Sequence, residues 1–229
     1  MAGNGQASLD QNSLFFTLAE DLKTPLLRIA YTAELAASDT IHTTAVEALK
    51  LIDAYLLGVR SQTQFELEPV NPSAVLYDVA HELSALARRS DCELSVHAPA
   101  HLGSALVHRA ALLASLRAIG TVFIEAQSIL GDSAKRVELA VYKTSKGLSV
   151  GVFQPHTDAF IDAQLFSRAH AHVGTASRPF AGLASGASAQ LFVAEQLLAG
   201  MQARLRSAHR GSLAGLAADL ARSNQLSLV

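Results

Sequence analysis

Residues 19–30 read AEDLKTPLLRIA, a helical pattern with a proline, Pro25, at its centre. A proline inside a helix removes one backbone hydrogen bond and costs about 3 kcal/mol, so a helix that keeps one bends there. Outward from this stretch, Leu18, Leu22, Ile29, Ala33 and Ala36 fall on one stripe, with Leu26 or Pro25 in the middle step. Ser38, Asp39 and Thr40 form a turn-and-cap cluster. Beyond it Ala45, Leu49, Ile52, Leu56 and Val59 repeat at steps of four and three, a heptad-like seam. Two such helices with a short connection read as an antiparallel hairpin. Each helix has a narrow apolar face that a lone hairpin leaves wet. Pairing two hairpins into a four-helix bundle covers it, so the sequence predicts a homodimer.

The rest of the chain changes character. Residues 1–12 are small and polar and read as a flexible tail; residues 13–62 are the dimerisation hairpin. Ser61–Pro72 contains two prolines and reads as a linker, placed at 63–72 in the domain division. VLYDVAHELSALARR is an amphipathic helix with Val75, Val79, Leu83 and Leu86 on one face, and CELSVHA alternates as a strand does. RAALLASLRAIGTVFIEAQ is a second long helix. VELAVYK and GLSVGVF form a strand hairpin about a turn at Thr144–Gly147. Residues 154–188 are rich in Gly, Ser, Ala, His and Pro, and AQLFVAEQLLAGM is a further helix. GSLAGLAADLARSNQLSLV stays open: Leu213, Leu216 and Leu220 suit a helix and the alternation is poor. The fold class is α+β, a helical hairpin followed by an α/β sandwich over residues 73–229.

Composition narrows the function. The chain has 229 residues, half of them hydrophobic, no Trp and a net charge of −2, which argues against a general nucleic-acid binder. A single cysteine, Cys92, cannot form an internal disulfide and suits a reducing compartment. The opening MAGNGQASLDQN has no basic-then-apolar pattern of a signal peptide, and every apolar run is interrupted short of the roughly 18 residues a membrane span needs. The expectation is a soluble, cytoplasmic protein with no membrane partner.

From Ser13 onward this order of elements resembles the catalytic core of sensor histidine kinases. There a dimerising helical hairpin precedes a GHKL-type, Bergerat-like ATPase domain. The most specific piece is EDLKTPLLRI, which is similar to the kinase motif His-Glu-Leu-Lys/Arg-Thr-Pro-Leu. Pro25 matches the motif proline, and the bend it makes shapes the surface on which a partner docks. Glu20 stands in the place of the phospho-accepting histidine, and a carboxylate has no imidazole nitrogen to attack a phosphate. The resemblance also implies nucleotide-binding boxes, and they are degraded. Ala118 and Val122 occupy the two asparagine positions of the magnesium-binding helix, with His108 where an Asp often sits. Neither can ligate a hard cation, which wants oxygen. Asp158 follows a strand without the glycines of the first glycine box, and Gly186, Ser188 and Gln190 replace the three glycines of the second.

The resemblance therefore implies a degenerate, non-catalytic pseudo-histidine-kinase that binds no nucleotide cofactor and no metal. Its partner would be the receiver domain of a response regulator or another histidine kinase, docked on a face made of Glu20, Lys23, Leu27, Arg28, Tyr31 and Thr32; the alternative is that Leu27 and Tyr31 simply pack in the bundle. An enzymatic alternative is a phosphatase of the receiver's aspartyl phosphate, with Thr24 holding the attacking water and Asp21 orienting it. A phosphotransfer relay is a third reading, disfavoured by Glu20, with His42 as the only substitute acceptor in view. His170 and His172 could ligate a metal but lack a third ligand, and Arg204, Arg206, His209 and Arg210 form either a basic contact patch or a solvated strand edge.

Overall fold

A computed structural model of the chain describes residues 23, 26–35, 38–60, 65–129, 135–145, 147–155 and 187–223. The chain divides into two compact units, Met1–Thr63 and Gln64–Val229.

In the first unit residues 26–35 are helical (α1) and Asp39–Arg60 form α2. Ser38 N donates to the Ala33 carbonyl (2.8 Å) and His42 N to the Ser38 carbonyl (3.0 Å), so one residue closes α1 and opens α2. Lys23 bridges to Asp53 at 2.8 Å and the His42 ring meets the Ala30 carbonyl. Partners further back along α1 meet partners further along α2, so the helices run antiparallel. The hairpin's own buried positions are mostly small: Ala30 and Ala33 on α1, Ala45, Ala54 and Leu56 on α2. Leu49 and Ile52 of the predicted seam are only half-buried.

The second unit is a two-layer α/β sandwich. Its elements are β1 (Glu68–Val70), α3 (Pro72–Arg89), β2 (Glu93–His97), β3 (Ala105–Val107), α4 (Arg109–Ile129), β4 (Arg136–Thr144), β5 (Gly147–Pro155), α5 (Ala187–Gly200), β6 (Leu205–Arg210) and β7 (Leu213–Leu220). The main sheet has the order β2-β4-β5-β7-β6; β2 and β4 are parallel and the other pairs antiparallel. Local chemistry sets the boundaries. Asn71 caps α3 by accepting from Ser73 N (3.0 Å), Pro72 takes the first helical position, and Arg88 and Arg89 sit in the last turn. β6 turns into β7 through Gly211 and Ser212; Gly211 at φ +59° supplies the left-handed first position of a two-residue hairpin.

Three differences from the sequence reading stand out. The supposed linker contains β1, which pairs with the equally short β3 as a two-stranded sheet. Within the ambiguous C-terminal stretch, Leu213–Leu220 is the strand β7, not a helix, paired on both sides. Past β7 the chain straps down β3: Leu106 N donates to the Ala221 carbonyl and Ser223 N to the Ser104 carbonyl, both at 2.9 Å.

Helices α3, α4 and α5 cover one face of the sheet, with α4 in the middle and packed on β4 and β5. Leu112, Leu116, Ile119 and Phe123 of α4 are buried with Val75, Leu76, Val79 and Leu83 of α3 and Leu191, Ala194, Leu197 and Leu198 of α5. Leu86, predicted on the α3 core face, is half-buried and Ala87 is buried instead. The stretch Arg109–Gln127 is long and apolar enough to cross a membrane by length and composition, and 78% of it is buried inside the fold. Its hydropathy is that of a core helix with neighbours on three sides. Cys92 is buried at the end of α3, and burial pushes its thiol up to about 11, so the thiolate is disfavoured.

Candidate functional site

Two places carry the candidate chemistry, one in each unit. On the hairpin, Glu20, Asp21, Thr24 and Pro25 lie outside the described residues. The remaining face residues are placed. Leu27 is 55% and Tyr31 65% exposed, and Arg28 and Thr32 are exposed beside them. Leu27 and Tyr31 therefore do not pack inside the single hairpin. Residues four apart share a helix face, so Leu27, Tyr31 and Leu35 make one apolar stripe; Leu35 is 71% exposed. Ile29 and Ile41 are exposed large apolar residues outside that stripe. The Thr32 hydroxyl donates to the Arg28 carbonyl (2.8 Å), a bond along the helix surface. Lys23 is less available than a free docking cation, because Asp53 on α2 holds it. His42 contacts the Ala30 carbonyl through Nδ1 at 3.2 Å, so the ring ties the two helices together.

In the second unit the described nucleotide-box positions fall on α4, with His108 just before it, and on the first turn of α5, where Ser188 and Gln190 lie. Ala118 and Val122 are buried, apolar side chains. Neither offers an oxygen. His108 caps α4: its Nδ1 accepts from Ala111 N at 3.2 Å, while its carbonyl accepts from Leu112 N at 3.0 Å. This is a capping bond of the kind a short polar side chain usually makes, and it explains a histidine at a position where an aspartate was anticipated. Phe65 stacks on the ring at 4.7 Å, and His108 N donates to Met201 Sδ at 3.4 Å. Replacing His108 by Ala should cost about 2 kcal/mol, about 1 from the cap and the rest from the stack. His108→Asn keeps the cap and should lose roughly half as much; urea melts of the two variants check this.

Asp158 and Gly186 lie outside the described residues, as do His170 and His172, and Gln190 is half-buried. The end of β5 holds a feature the sequence reading missed. Gln127 Nε2 donates to Gln154 Oε1 at 2.8 Å, and both side chains are buried. Gln154 Nε2 has no hydrogen-bond partner among the described residues. The signal was present in the register: Leu148, Val150, Val152 and Gln154 alternate along one face of β5, so an inward carboxamide was readable. The pair is neutral, so the strand leading toward the expected aspartate ends on amides. The basic run on β6 is largely neutralised in place. Arg206 bonds Asp219 (2.7 Å) and its pKa is raised chiefly by that hydrogen bond, while Arg210 pairs with Glu138. No group of three or more His, Cys, Asp or Glu suited to a metal occurs among the described residues.

No protein-family model matches the chain, and no curated protein matches it. Solved structures do. The chain is similar to full-length ShkA in complex with AMPPNP, with a TM-score of 0.61 at 18% identity over 93% of this chain and 46% of that one. It spans a little under half of that protein's length. It is also similar to the histidine kinase AdeS of Acinetobacter baumannii, with a TM-score of 0.52 at 11% identity over 88% of this chain and 96% of that one. At these identities the likeness is one of fold: the chain has a histidine-kinase-like fold.

Proposed function

We propose that the protein is a non-catalytic, homodimeric histidine-kinase-like module that binds a receiver domain or a related phosphorelay partner and modulates signalling through it. The observation that carries this reading is the pair Ala118 and Val122. Where the kinase resemblance calls for magnesium-binding asparagines, the fold places two buried hydrocarbons. Glu20 in place of the acceptor histidine and the neutral Gln127–Gln154 pair support it further. Five exposed large apolar residues on the hairpin, Leu27, Ile29, Tyr31, Leu35 and Ile41, support a second copy on one flank and a transient partner on the other. Exposed apolar side chains beside charges suit a small interface.

The test is a thermal melt with AMPPNP and magnesium, the nucleotide analogue held by ShkA. A ligand at a hundredfold excess over its Kd stabilises by about 2.7 kcal/mol; the expected shift here is zero. A clear shift would overturn the loss of nucleotide binding. In the same preparation, isolated receiver domains should be retained by the wild type and released by a Leu27→Asp, Tyr31→Asp variant that still melts as a folded dimer. Equal retention by both would remove the hairpin stripe as the docking face.

A further inference from the structure

One edge of the main sheet is β2, which reads Glu93-Leu94-Ser95-Val96-His97. The parallel register sets these residues beside Arg136, Val137, Glu138, Leu139 and Ala140 of β4, and Glu93 N donates to the Lys135 carbonyl at 2.8 Å. Along a strand, alternate residues turn their backbone groups to opposite sides. The backbones of Glu93, Ser95 and His97 therefore face β4. Those of Leu94 and Val96 face outward, where no described strand lies, and present open donors and acceptors. The side chains alternate as well. Glu93, Ser95 and His97 stand on the sheet face opposite the helices, where Ala140, Phe153, Ala208 and Ala217 are buried with Tyr142 and Leu213 packed against them. Leu94 and Val96 lie on the helix-covered face and are only half-buried.

This edge is complementary to itself. An antiparallel second copy centred on Ser95 matches the strand along its whole length. Leu94 then meets the partner's Val96 as a hydrogen-bonded pair, in which both residues exchange N–H···O bonds, so the outward backbone groups of both are used. Glu93 meets the partner's His97 at a non-hydrogen-bonded pair, where side chains come closest, and both residues are exposed. A ring N–H of the imidazole can donate to the carboxylate. Arg210, whose charge is felt at His97, adds attraction for the incoming carboxylate. Centring the copy on Leu94 or Val96 sets Ser95 against Glu93 or His97 and leaves each Glu93 without an imidazole opposite it. The charged ends of the strand therefore select the register centred on Ser95.

We propose that β2 is a homotypic docking edge: a second copy of this chain adds its own β2 antiparallel, centred on Ser95, and the two main sheets continue into one across a two-fold axis. The edge belongs to the second unit, so the pairing stands apart from the hairpin's role in docking or dimerisation. A strand this short gives an interface of the small, transient class.

Amide hydrogen exchange on the full chain, read residue by residue by NMR, tests this. The Leu94 and Val96 amides have no partner on their own sheet, so pairing should slow their exchange at least about tenfold relative to an open edge. His97→Glu sets two carboxylates face to face at each end and should remove about tenfold of that protection, while its position near Arg210 suits a carboxylate in the single chain. Cross-linking reads the register in a Cys92→Ala background. Glu93→Cys combined with His97→Cys should form an intermolecular disulfide under mild oxidation. Each single variant should not, because identical positions then lie about 13 Å apart along the strands, beyond the roughly 7 Å a disulfide can span. Unprotected Leu94 and Val96 amides, or a double variant that cross-links no faster than the singles, would overturn the pairing. So would protection indifferent to His97→Glu, which would put some other segment on this edge.

Discussion

Gly215→Ala is expected to destabilise the second unit by about 3 kcal/mol or more, lowering its urea midpoint by roughly 1–2 M. Gly215 lies in β7 opposite Phe153 of β5 and Ala208 of β6. A methyl group built there overlaps the Val152 carbonyl oxygen and comes within 2.8 Å of the Phe153 Cα. These are backbone atoms, so no rotamer change relieves the clash; the two central strands must part. Gly151, its near neighbour on β5, would likewise meet the Leu216 carbonyl oxygen at 2.5 Å. The sheet centre thus depends on two strands approaching more closely than side chains allow. Gly211→Ala is the control. Gly211 has open space around its missing Cβ but a φ of +59°, so its loss should cost only about 1–2 kcal/mol of backbone strain. Equal midpoints for the two variants would remove the close approach as the cause.

The strand centre also shows what could be read from the sequence and what could not. The β4–β5 hairpin was legible, because a strong turn separates two alternating runs and the register pairs Thr144 with Gly147. Helices α3, α4 and α5 were legible from their length and period. β7 was not. Both of its faces are buried, so LAGLAADL has no alternation, and Leu213, Leu216 and Leu220 mimic a helical stripe. β1 was hidden by its three residues and by Pro69. The basic run 204–210 stayed open between a contact patch and a solvated strand edge because the partners of Arg206 and Arg210, Asp219 and Glu138, are distant in sequence. The candidate site was half legible: Ala118 and Val122 are apolar in any structure, but the cap made by His108 and the Gln127–Gln154 bond depend on folded neighbours. The exposure of Leu27 and Tyr31 on the single hairpin likewise needed the hairpin's geometry.

Glu138→Ala is expected to cost about 2–3 kcal/mol, the second-largest effect of a single change, because it strands cationic groups on a largely closed sheet face. Arg210 reaches from the edge strand β6 across β7 and β5 to a carboxylate whose side chain is 9% exposed, while its own side chain is 26% exposed. Fully buried pairs lose about 3–5 kcal/mol when one partner is removed. Partial exposure of Arg210 and the greater exposure of Arg136, at 44%, let solvent recover part of that. Arg210→Leu in the same background should then return stability, since it removes the stranded charge and adds hydrocarbon beside Ala208 and Phe153. A double-mutant cycle in urea reads the coupling directly, and 1–3 kcal/mol is the expected size, roughly that of a contacting charged pair. If the two changes are additive, the pair does not span the sheet in solution, and the face is held by its apolar cluster and by Arg206, which bonds Asp219 and Ser149. If they couple, Arg210 fastens the edge strand β6 to β4 across the outer face, beyond the reach of Arg206, which stops at Ser149 of β5.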